Sequence, residues 1–154
     1  MRAPKLLALV ASGLIAAVAL PSVALAATDP IYTGVLSNVA LSGYDATAYF
    51  SQGRPVKGSS AYKVTYKGAE FHFASAANAA KFKANPAKYA PQYGGYCAWA
   101  VSQGYTASGD PQVWKIVGGK LYVNYDREVA NRWEKNIPGF IASANKNWPK
   151  ILAS

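Results

Sequence analysis

The sequence predicts an α+β domain in which a small antiparallel sheet, built from two hairpins, packs against about three helices. Two pairs of β-type runs, one meeting at Lys67-Gly68 and the other at Gly118-Gly119, predict the hairpins, and a polar residue after each can cap a helix. In chain order, Ala48, Tyr49 and Phe50 read as a short strand ending at the Ser51-Gln52-Gly53 turn. Tyr62, Val64 and Tyr66 alternate with Lys63 and Thr65 as a half-buried strand does, and Phe71 and Phe73 continue one face as its partner. His72 is out of phase with them and is expected on the opposite, solvent-facing side beside Glu70. Ser75 can cap a helix over Ala76 to Ala84, which ends because Pro86 disfavours helical geometry at Asn85. Gly94-Gly95 interrupts the chain, and Tyr96 to Val101 fits a short helix or a strand equally. Val113 to Val117 and Lys120 to Asn124 flank Gly118-Gly119 as the second hairpin. Asp126 can cap a helix to about Lys135 that places Val129 and Trp133 on one face, and Asn124 is open to a similar capping role. A last helix from near Pro138 carries Ile137, Phe140, Ile141 and Ala144 on an apolar stripe and ends around Trp148-Pro149. No internal repeat is visible at this level.

Residues 1–26 read as a signal peptide. Arg2 and Lys5 precede an apolar run from Leu6 to Leu20, Pro21 breaks it, and Ala24-Leu25-Ala26 supplies the small-residue cleavage site. The run is shorter than the roughly 20 residues that a spanning helix needs. Cleavage after Ala26 predicts a periplasmic or secreted chain of one domain, residues 27–154, with no membrane span.

The formal net charge is +9, and Arg2 and Lys5 account for two of the basic residues. The remaining excess could attract anionic lipid or cell-wall polymer, yet the lysines are scattered, as on a solvated surface. Nucleic acid is a poor partner for an exported chain, and no binding motif for it is present. Four Trp, eleven Tyr and five Phe supply either a small rigid core or an aromatic cleft.

Phe71, His72, Phe73, Ala74, Ser75, Asn78, Phe82, Asn85, Pro86 and Tyr89 fill a frame that resembles the core of the YHS domain, a small family often found beside heavy-metal transport and oxygenase proteins. In many of its members two cysteines stand where this chain has Ala74 and Asn78. Further segments resemble an exported, stand-alone bacterial branch of that family: Leu41-Ser42-Gly43-Tyr44-Asp45 with Ala48-Tyr49-Phe50, Pro91 to Ala98, Leu121 to Tyr125, and Asn147-Trp148-Pro149. The resemblance covers roughly residues 36–150. It implies binding of copper or another soft metal ion, or an accessory role in handling one, while the missing thiol pair removes the donors that would do so.

Two residues remain as candidate ligands. Cys97, the lone cysteine, can be a buried small hydrophobe, a soft-ion ligand, or a redox or intermolecular-disulfide thiol. His72, the lone histidine, can be a surface residue or a second ligand. Zinc sites normally use three or four protein ligands, so a site built on Cys97 and His72 would need a tyrosine, water or a homodimer to complete it. Asp45, between Tyr44 and Tyr49, can orient a ligand hydroxyl or cap its own turn. The non-metal alternative is an interaction module that holds a small organic ligand or a partner in a cleft lined by Tyr44, Asp45, Tyr49, Tyr93 and Trp114. Enzymatic function is not expected. One histidine, no nucleophile elbow and no phosphate-cradling glycine loop leave hydrolytic and nucleotide chemistry without a motif.

Overall fold

Residues 13–14, 16–21 and 27–154 are described by a computed structural model, in which four strands and six helices follow one another in short alternation. The expected signal peptide lies largely outside these residues. No helix among the described residues is long and apolar enough to cross a membrane.

The first departure from the sequence expectation is local. Ala48 to Ser51 forms a helical turn, α1, and not a strand. Its cause is Asp45, whose side chain accepts the Thr47 amide at 2.9 Å while its carbonyl accepts the Ala48 amide at 3.1 Å, so the backbone curls before Tyr49 is reached. Strand β1 (Ser59–Tyr66) then pairs antiparallel with β2 (Ala69–Phe73). Lys67 and Gly68 between them have φ of 48° and 83°, the left-handed pair that a tight hairpin requires. A register shift between Ser59 and Lys63 disturbs the alternation of β1, so Tyr62 is exposed while Val64 and Tyr66 pack against the core. Helix α2 (Ala76–Ala84) has the expected bounds, with the Ser75 hydroxyl accepting the Asn78 amide. Pro86 ends it and also starts a further turn, α3 (Pro86–Tyr89).

Tyr96 to Val101 resolves in favour of a helix, α4 (Ala98–Ser102). Strands β3 (Asp110–Val117) and β4 (Lys120–Asn124) form the second hairpin, again on two left-handed residues, Gly118 and Gly119. Asp126 caps α5 (Arg127–Glu134) by accepting the Val129 amide. The last helix, α6 (Ile137–Leu152), runs past Pro149, where the sequence suggests a stop. Ile151 is buried beyond it, so packing carries the helix through one lost backbone bond. The α+β class stands, with the difference that the hairpins form two separate two-stranded sheets.

The two hairpins belong to a repeated unit that sequence similarity hides. Each unit opens on a left-handed run, Leu41, Ser42 and Gly43 in the first and Tyr93, Gly94 and Gly95 in the second. Each then makes an isolated bridge, Tyr44 with Lys57 and Tyr96 with Ser108, around a short helix, α1 or α4. The strand pairs share even their irregularity: the shift between Ser59 and Lys63 recurs between Asp110 and Trp114. Ser75 answers to Asp126, and Phe82 in α2 to Trp133 in α5, both side chains fully buried. Two cores result. Phe71, Phe73, Phe82 and Tyr49 lie in the first, Val101, Tyr122 and Trp133 in the second. Strand β4 joins them, because Leu121 and Val123 belong to the first core and Tyr122 to the second.

Candidate functional site

Asp45 is fully buried, and both carboxylate oxygens are occupied by donors of this chain. Oδ1 accepts the Thr47 amide at 2.9 Å and the Thr47 hydroxyl at 2.7 Å. Oδ2 accepts the Ala74 amide and the Asn78 side-chain amide, each at 2.9 Å. The two positions at which the resemblance places thiols therefore present N–H groups to a carboxylate. Asp45 is a turn-former and a tie between the α1 loop and the β2–α2 junction, and no oxygen is left for a ligand hydroxyl.

Cys97 occupies the matching place in the second unit. It is buried, its thiol donates to Asn124 Oδ1 at 3.5 Å, and the same oxygen accepts the Trp99 amide at 3.0 Å. Asn124 thus secures the start of α4, while the capping role considered for it falls to Asp126. Burial pushes the Cys97 thiol above its ordinary range, opposed in part by nearby backbone amides. Burial likewise raises Tyr49 and Tyr93. Groups raised in the folded state favour folding below their unfolded values and lose that contribution as pH climbs through the folded ones. Stability is therefore expected to be flat near neutrality and to fall from about pH 8.5 upward, first through Cys97 and then the tyrosines. Urea titrations at neutral and alkaline pH measure this, and Cys97→Ala should remove the earlier part of the fall. A maleimide should modify the native thiol slowly and the denatured thiol at once.

His72 is not on an open face. Its side chain is 14% exposed, and its Nε2 is buried with no hydrogen-bond partner, 3.9 Å from Glu70 Oε2. The imidazole lines a cavity with Thr33, Ser37, Val39, Ser42, Gly43 and Lys57. The pocket beside Cys97 is lined by Trp99, Ala100, Tyr105, Ala107, Tyr125 and Val129. The two lining sets have no residue in common, and no group of three or more His, Cys, Asp or Glu side chains gathers among the described residues. With Ala74 and Asn78 offering donors where an ion needs lone pairs, the residues present do not fit a soft metal centre shared by Cys97 and His72.

Nor do Tyr44, Asp45, Tyr49, Tyr93 and Trp114 surround one cleft. Tyr49 is sealed in the first core, its ring 5.2 Å from that of Trp114 and its hydroxyl donating to the Pro111 carbonyl at 2.9 Å. Tyr44 lies under the Lys57 ammonium, 4.6 Å from ring to nitrogen. Tyr93 is in the second core, its hydroxyl donating to Asn145 Oδ1 at 2.9 Å and its ring 5.9 Å from Trp148. The two cores separate them: Tyr44, Tyr49 and Trp114 lie in or against the first, and Tyr93 in the second.

Tyr93 does line a groove, with partners that the sequence did not suggest. About 460 Å³ of space lies between the Tyr66-Lys67 turn, Lys120 at the start of β4, and Asn145 and Trp148 of α6. Both hairpin turns thus send a lysine to the same groove. Gly94 closes its rim against the N-terminal segment, where any side chain would run into the Pro30 carbonyl. Lysines at both glycine-containing turns were the one legible sign, and hairpin chemistry alone explains them equally well.

Residues 47–93 match the family model of the YHS domain. The match runs from Thr47, just before α1, to Tyr93, and so covers most of the first unit and ends on the residue that opens the second. Searches of the curated proteins and of the solved structures found no match.

Proposed function

We propose that this chain is an exported, non-enzymatic binding domain that takes a small organic anion in the groove between its hairpin tips. One observation carries the reading: Lys67, in the turn of the first hairpin, and Lys120, the first residue of β4 in the second, line a single groove with Tyr93 and Trp148. A groove of this size accommodates a small molecule, two ammonium groups favour a carboxylate or phosphate, and the aromatic side chains favour an apolar body attached to it. Burial keeps Tyr93 protonated, so its hydroxyl stays a hydrogen-bonding group and adds no negative charge. Among the described residues the Cys97 thiol and the His72 imidazole line different cavities and do not form a nucleophile–base pair, which supports a non-enzymatic role.

Phenylphosphate and benzoate are suitable probes. Calorimetric titration should give saturable binding of at least one, weakened roughly tenfold or more by the Lys67→Gln/Lys120→Gln pair, as expected when two charge-assisted contacts are removed. Absence of saturable binding by both probes, or equal affinity in the double variant, removes this reading.

The YHS match supports a second reading, handling of copper or another soft ion. Its donors would be Cys97 or His72 acting separately or across a homodimer, with the buried thiol and the Asp45 network weighing against it. Titration with Cu(I) decides between the two: submicromolar binding that is lost in Cys97→Ser would favour the ion.

A further inference from the structure

We propose that the cavity between the Leu41–Gly43 turn and β2 is a second site, specific for a small anion, with Lys57 and His72 as its recognition groups. The site is distinct from the groove above, with which it shares no lining residue. Gly43 shows where the anion sits. A carbon placed at the missing Cβ of Gly43 would lie 3.6 Å from Lys57 Nζ and 3.7 Å from His72 Nδ1, so both nitrogens face the same point above a residue that has no side chain. Gly43 has φ of 83°, and the preceding Leu41 and Ser42 are also left-handed, at 51° and 50°. Such a run of non-glycine residues is costly, and here it opens the cavity over Gly43.

The cation is positioned before any ligand arrives. Lys57 Nζ donates to the Ser42 carbonyl at 2.6 Å and rests over the Tyr44 ring, with further N–H donors free to turn inward. His72 is flanked on its other nitrogen by Glu70, whose carboxyl is held below its usual range chiefly by Lys63, 2.9 Å away. The ring is turned so that Nδ1 faces the cavity, where an N–H on that nitrogen donates to a bound anion. Thr33, Ser37, Val39 and Ser42 line the remainder of a space of about 380 Å³, which suits a carboxylate or an inorganic oxyanion with its water.

Titrating the purified protein with sodium acetate and with sodium phosphate, at ionic strength held constant with chloride, tests the site by nitrogen-edited NMR of the His72 ring and the Gly43 amide. Saturable shifts with either anion are expected, acetate alone indicating a carboxylate site and phosphate alone an oxyanion site. Lys57→Gln, at an exposed position, should weaken binding roughly tenfold, and Lys67→Gln/Lys120→Gln should leave it unchanged. Gly43→Ala, which fills the cradle, should abolish it. Shifts that never saturate, or that persist equally in Lys57→Gln, overturn the proposal whether or not Gly43→Ala folds.

Discussion

Asp45→Ala is expected to cost about 3–5 kcal/mol of folding stability, a large part of what a domain of this size possesses. The magnitude follows from the donors left behind. Removing the carboxylate strands the amides of Thr47 and Ala74, the Thr47 hydroxyl and the Asn78 side chain, all within hydrogen-bond distance of Asp45 now. Water can reach some of these groups but not the enclosed ones, and each unsatisfied buried donor costs about 1–3 kcal/mol. Asp45→Asn should recover only part of the loss, because its amide places N–H groups against N–H groups on one side. Chemical denaturation of the wild type and both variants measures the difference. A loss below about 1 kcal/mol for Asp45→Ala would mean that the network does not organise the α1 loop.

Phe82→Ala and Trp133→Ala should each cost about 3–5 kcal/mol, since each empties the centre of one core. Phe82 is fully buried, with ring centroids 4.7 Å from Phe71 and 5.0 Å from Phe73, and Trp133 packs 5.4 Å from Tyr122. Trp133→Phe should cost much less, because the buried indole N–H has no hydrogen-bond partner to lose. Both truncations are expected to shift one shared unfolding transition. Leu121 and Val123 face one core and Tyr122 the other, so neither core can come apart without disturbing β4. Separate transitions for the two units, observed by denaturation in either variant, would show that β4 does not couple them.

Such coupling also explains which expectations were legible in the chain. Helix α2 could be read to its bounds because every signal for it is local: a serine oxygen for the first turn, and a proline to exclude the next. Both hairpin turns were equally plain, since positive φ favours glycine and the flanking runs are short. Asp45 was open to a turn-forming and a ligand role; the turn is local, but its second oxygen reaches Ala74 and Asn78 across the fold, which no local pattern announces. His72 was expected on an open strand face. It is enclosed because the left-handed turn at Leu41–Gly43 and Lys57 fold over that face, both supplied from earlier in the chain. The cleft drawn around Tyr44, Tyr49, Tyr93 and Trp114 failed for a related reason: a tyrosine suits a core and a cleft equally, and only packing chooses.

By itself the sequence determined the α+β class, the hairpin turns, the caps of α2 and α5, the pairing of the strands within each hairpin, and the absence of cysteine at positions 74 and 78. Those features depend on backbone dihedrals and on contacts within a few residues, where chemistry and order along the chain coincide. Tertiary structure alone decided that the unit occurs twice, that two sheets form in place of one, and that Lys57 and His72 line one cavity while Lys67 and Lys120 line another. These depend on burial and on distances between segments far apart in the chain, and equivalent positions such as Asp45 and Cys97, or Phe82 and Trp133, conserve a shape without conserving a side chain.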